Sequence, residues 1–182
     1  MRSAAMSNPS KNKGDQAERE AVAYFQELCP DLLVWNAQRL LGAGRKEDIG
    51  DLLIFPDVAV QVKAFKPSSL SAALYQAADG ATVQAARARH RHALGIVLVP
   101  RARKVGAVRW VASVHRWPVE SAHEVHTNSL SALNAVVAAG LNSALTTRVQ
   151  RKGTESIIIG SLQSWVRSYR LATNHPEERS AA

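Results

Sequence analysis

Apolar and polar positions alternate along this chain with two periods in turn, one helical and one strand-like. Ala21, Tyr24, Phe25 and Leu28 recur at helical spacing, which predicts a helix over residues 15–28 that Cys29-Pro30 ends. Residues 32–37 read as a strand. Two short β-prone runs, 52–55 and 58–62, flank Pro56-Asp57, a turn dipeptide, and so form a hairpin. Pro67-Ser68-Ser69 opens a helix running from residue 70 to about 92, with Asp79-Gly80 as a candidate break. Continuous apolar runs at 94–99 and 108–114 have strand length, and the basic loop 100–107 joins them. Residues 129–141 read as a helix, 155–159 as a strand and 162–171 as a closing helix. The order is that of an α/β domain built on one mixed sheet flanked by helices.

The length of 182 residues suits one domain with a sizeable core. Residues 1–12, small and polar, are expected to be a flexible arm, and residues 173–182 a disordered tail. Cys29 is the only cysteine, which excludes an intrachain disulfide and a cysteine-based zinc site and points to a reducing, cytoplasmic compartment. The N-terminus lacks the apolar stretch of a secretory signal, and the longest apolar run, 132–141, is too short to span a bilayer, so no membrane partner is expected.

Charge changes the picture more than composition does. The formal net charge is +8. Between Gly80 and Val119 there is no Asp or Glu at all, while Arg87, Arg89, Arg91, Arg101, Arg103, Lys104, Arg109 and Arg116 all fall there. An all-positive block inside a folded region suits a polyanion, most simply nucleic acid. The six histidines show no spacing that suits a metal; His90 and His92 are read as part of a basic helix face.

The hairpin carries the candidate chemistry. Residues two apart on a strand share a face, so Gln61 and Lys63 project together while Val60 and Val62 point into a core. Asp51 abuts the first arm. An acid at the mouth of one strand beside a polar-x-Lys pair on the next suits Mg²⁺-dependent phosphodiester cleavage. Asp51, the Gln61 amide oxygen and the Val62 backbone carbonyl are the candidate metal ligands, with Asp48 as a further candidate. Lys63 would orient or deprotonate the attacking water and stabilise developing charge. Glu18 lies on the apolar side of the first helix, with Val22 and Phe25, and could complete the cluster directly or through a water; Glu20 and Glu27 fall on the solvated side.

Three stretches carry a family resemblance: Asn8-Pro9-Ser10-Lys11-x-x-Gly14-x-x-x-Glu18, then Asp48-x-Gly50-Asp51-Leu52, then Val60-Gln61-Val62-Lys63. Together they resemble the PD-(D/E)XK nuclease superfamily, and more narrowly the Holliday-junction-resolvase-like nucleases of phages and actinobacteria. The resemblance covers about residues 8–115. It implies a restriction-endonuclease-like core in α-β-β-β-α-β order over residues 13–117, with 118–172 as a C-terminal α/β extension packed on it. It also implies Glu18, Asp51, Gln61 and Lys63 as catalytic positions, Mg²⁺ or Mn²⁺ as cofactor, branched or duplex DNA as partner, and a homodimer. Gln61 stands where the superfamily usually has an acid. The alternatives are therefore a catalytically weakened nuclease fold acting as a DNA-binding module, or a restriction- or repair-type nuclease on duplex DNA. Lys11, Lys13, Arg45, Lys46, Lys66, Arg87, Arg89, Arg101, Arg103 and Lys104 are the expected DNA contacts.

Overall fold

The computed structural model describes residues 9–40, 50–100, 106–150 and 153–174, with side chains from residue 13 onward. The described elements are four helices and one mixed, open sheet of eight strands. Helix α1 spans Pro9–Leu28 and is followed by strands β1 (Gln38–Arg39), β2 (Leu52–Leu53) and β3 (Val58–Lys63). Helix α2 (Leu70–Ala88) leads to β4 (His92–Leu98) and β5 (Trp110–Val114). Then come β6 (Glu124–His126), α3 (Ser129–Ala139), β7 (Thr146–Val149), β8 (Ile157–Ser161) and α4 (Leu162–Thr173). The α-β-β-β-α-β order expected of the first part is the order observed. Among the described residues no helix is long and apolar enough to cross a membrane.

Strands β1, β2 and β3 form an antiparallel meander, and α2 carries the chain back so that β4 lies parallel to β3. The sheet order is β1-β2-β3-β4-β5-β8-β7-β6. Residues beyond 117 thus continue the same sheet, with β8 antiparallel to β5. Two apolar layers cover its faces. On one, Ala17, Ala21 and Phe25 of α1 and Leu162, Trp165 and Val166 of α4 pack on Val58, Val60 and Val62. On the other, Leu70, Ala73, Leu74, Ala77 and Ala78 of α2, together with α3, pack on Val97, Val111 and Ile159.

Several expectations change. Helix α1 begins at Pro9 rather than residue 15: proline suits the first helical turn, and Gly14 does not interrupt the helix. It therefore takes up residues 9–12 of the expected arm. The strand expected over 32–37 is absent: Pro30–Leu32 is a short 3-10 turn, Trp35 is fully exposed in a turn, and the strand is Gln38–Arg39. Asp79-Gly80 does not break α2, which runs on to Ala88 and stops where Arg89 takes a left-handed conformation at φ 56°. His92 consequently opens β4 instead of ending a helix. Strands β6 and β7 were not expected. The tail beyond residue 174 lies outside the described residues.

Candidate active site

Gly50 turns the chain at φ 137° just ahead of β2, where backbone atoms of Val60 lie so close that a side chain would crowd them. Asp51 keeps the ladder with β3, its N–H donating to Val60 O at 2.8 Å. Beyond this point β2 and β3 part. The Val62 N–H, which a longer β2 would have satisfied, donates instead to Asp51 Oδ2 at 2.7 Å. The carboxylate thus fills the fork between two strands, held by a backbone donor in a charge-assisted hydrogen bond.

Gln61 meets it there. Its Nε2 donates to the same Asp51 oxygen, and its Oε1 accepts from Gln84 Nε2 of α2 at 2.8 Å. Gln61 is only 7% exposed because Gly80 of α2 lies directly over it; a Cβ on Gly80 would be 3.0 Å from Gln61 Oε1. Gln61 is thus a buried link in an Asp51–Gln61–Gln84 chain rather than a surface group. Lys63, two residues further along β3, is half-buried, and among the described residues it forms no ion pair.

Glu18 does not join this chain directly. Arg39 of β1 binds it through Nε at 2.7 Å and Nη2 at 2.6 Å, and the same Nη2 reaches Asp15 at 2.8 Å. Burial opposes the Arg39 charge, but the hydrogen bonds and charges of Glu18 and then Asp15 outweigh it and raise its pKa. Arg39 pairs with Leu52, the neighbour of Asp51, so Glu18 is tied to the fork through the strand that carries Arg39. Glu20 is not on a purely solvated face: Arg109 grips it from the start of β5. That pair borders a cleft of about 450 Å³ at the C-terminal ends of β3 and β4, where Lys13 and Phe65 also line the wall.

The donor set suits a magnesium-type ion at its minimum. Such ions keep several waters and take one or two carboxylates; Asp51 supplies one, and Gln61 supplies an oxygen once its amide makes a half-turn, since its nitrogen now faces Asp51. No group of three or more His, Cys, Asp or Glu gathers in metal-holding range among the described residues. The Val62 group that engages Asp51 is its N–H rather than the expected carbonyl. Asp48, Arg45, Lys46, Arg101, Arg103 and Lys104 lie outside the described residues, as does the side chain of Lys11.

The expected DNA contacts do not share one face. Lys13 and Lys66 are exposed at the fork end of the sheet, whereas Arg87 and Arg89 lie at the C-terminus of α2, the opposite end. Sequence reasoning missed Arg39, Gly80 and Gln84. Only the glycine left a signal, as a helix-interior Gly that no break accounts for. Comparison with family models, with curated proteins and with solved structures returned no match.

Proposed function

We propose that this protein is a metal-dependent endodeoxyribonuclease that hydrolyses phosphodiester bonds at the fork between β2 and β3, acting as a homodimer on branched DNA such as a four-way junction. The observation that carries this reading is the contact between the Asp51 carboxylate and the Gln61 amide at the point where two strands part, with Lys63 next on the same strand face. Asp51 and Gln61 are the residues that would hold Mg²⁺ or Mn²⁺. When bound, that ion supplies charge neutralisation on the phosphate and an acidified water.

The remaining work falls to side chains. The Val62 N–H fixes the direction of the Asp51 carboxylate. Gln84 holds the Gln61 amide from the far side, so turning the Gln61 oxygen toward an ion requires Gln84 to turn with it, whereas the Asp51 carboxylate needs no ordering when substrate arrives. The Lys63 ammonium, half-buried and unpaired among the described residues, stabilises charge that grows on the phosphate oxygens. Glu18 keeps Arg39 in place at the neighbouring strand. Cys29, a buried free thiol, suits a reducing, cytoplasmic compartment, and association with the nucleoid would follow from DNA binding alone.

The test is cleavage of supercoiled plasmid and of a synthetic four-way junction with Mg²⁺ or Mn²⁺. The expected outcome is nicking that Asp51→Ala and Lys63→Ala each reduce by at least about a hundredfold, about 3 kcal/mol in the barrier, and a faster rate on the junction than on plain duplex. Intact substrate with the wild-type chain, or nicking that survives both substitutions, overturns it. A second reading, a DNA-binding module with weakened catalysis, is favoured by one observation: Glu18 is held by Arg39, leaving Asp51 as the carboxylate in contact with Gln61. It predicts duplex binding without turnover, and metal-dependent cutting restored by Gln61→Glu.

A further inference from the structure

A second concentration of positive charge lies at the end of the sheet away from Asp51. Arg89, Arg91 and Arg116 are exposed there, and none forms an ion pair among the described residues. They arrive from three separate elements. Arg89 caps α2, Arg91 precedes β4, and Arg116 follows β5. The antiparallel register of β4 and β5, Gly95 opposite Ser113, brings the end of β5 beside the start of β4. A cleft of about 370 Å³ lies between Arg91 and Arg116, with Thr82 and Ala85 of α2 and the Trp117 ring among its walls.

Two acids near this cleft are engaged by neighbours of their own. Asp79 Oδ1 is 2.9 Å from His115 Nε2, and Asp57 accepts the Tyr169 hydroxyl at 2.6 Å. Glu155 is itself in the cleft wall, exposed, and 4.0 Å from the other nitrogen of His115, which Ser156 O meets at 3.0 Å. Neither arginine at the cleft forms an ion pair among the described residues, so both can meet an external anion, and guanidinium groups match phosphate oxygens in a fork geometry. This end cannot serve the phosphate at the fork. Val58 pairs with His92 and Lys63 with Val97, so the ladder ends lie about 17 Å apart at roughly 3.3 Å per residue. That span is about five base pairs along one strand of duplex.

We propose that the cleft between Arg91 and Arg116 is a second anchoring surface for the nucleic-acid backbone, taking phosphates about five base pairs away from those at the Asp51 fork. The proposal rests on the nucleic-acid half of the reading above and not on cleavage. The two sites together make the chain a clamp along a length of duplex rather than a single-point contact.

The experiment is fluorescence anisotropy of a labelled 24-base-pair duplex with the full chain in EDTA, repeated over a series of salt concentrations. Compared with wild type, R91A/R116A should bind about tenfold or more weakly at low salt. The slope of log affinity against log salt should become shallower by about two, one unit for each phosphate that is no longer neutralised. R91K/R116K should recover most of the slope, since the charge is kept, and thermal melting of all variants checks that the fold is retained. Wild-type affinity and slope in R91A/R116A overturn the proposal, as does a loss of heparin binding with duplex binding intact, which would assign the cleft to another polyanion. Absence of cutting in a protein that shows this binding pattern counts against the nuclease reading alone.

Discussion

Gly80 is the residue on which the candidate site depends most indirectly. A methyl group there would press on an amide whose two ends are already held by Asp51 and Gln84. Gly80→Ala should gain up to about 1 kcal/mol of helix propensity while crowding Gln61, so the net change in stability stays within about 1 kcal/mol. Nicking, by contrast, should fall about tenfold, and an unchanged nicking rate would mean that the position of Gln61 does not matter to the chemistry. Cys29 gives a pH-dependent counterpart. Burial pushes its thiol from a usual value near 9 up to about 12. The folded protein therefore favours the protonated thiol; that stabilisation is complete below about pH 9 and disappears as pH rises from 9 to 12. Denaturant titrations at pH 8 and pH 11 should register a larger loss of stability for wild type than for Cys29→Ala. Part of the candidate site was legible at this scale: the two-residue period of a strand puts Gln61 and Lys63 on one face of β3, and the hairpin brings Asp51 to Gln61. The ties to Arg39 and Gln84 were not, because each joins residues far apart in sequence through tertiary packing that no local spacing records.

At the scale of elements, α2 lies on β4 at backbone distance. Its inner face is alanine, Ala73, Ala77 and Ala81, and Gly95 of β4 has no side chain to keep the helix away. A Cβ at Gly95 would fall 2.4 Å from the Ala77 carbonyl carbon and 2.6 Å from Ser113 O. Both are backbone atoms that cannot step aside. Gly95→Ala should thus cost roughly 3 kcal/mol or more, measured by denaturant melts, whereas Gly14→Ala, with nothing near its Cβ, should not lower stability. Ser113 adds a tether, donating through Oγ to Leu74 O at 2.9 Å. The long periodic elements α1, α2 and β4 could be read from the chain because each buries a wide apolar face. Strands β6 and β7 could not: Glu124-Val-His126 and Thr146-Thr-Arg-Val149 are short and largely polar. Pairing with neighbours, not hydrophobic period, makes them strands. The segment before β1 failed for another reason: Leu32 is buried in the core and Leu33 packs against it, but from a 3-10 turn and not from a strand, while Trp35 points into solvent.

On the scale of the whole molecule, residues beyond 117 complete the core of the first part. Trp165 and Tyr169 of α4 stack at 5.3 Å, and both rings lie against Phe55 beside the hairpin turn. Tyr169 also donates to Asp57 in that turn, and Arg170 is bound to Asp31. A chain cut after residue 117 would expose Phe55 and leave β5 as an open edge, so it should not melt cooperatively by circular dichroism, while the full chain should. The position of β8 between β5 and β7 has a consequence for how the protein is made. Strand β5 leaves the ribosome well before its partner, and at roughly 5–20 residues per second the interval from Val114 to Ile157 lasts a few seconds. During that time an apolar strand edge waits for a neighbour not yet synthesised. The sheet is completed only when Ile157–Ser161 emerges, so the nascent chain carries the burden of staying unaggregated until its last strand is made.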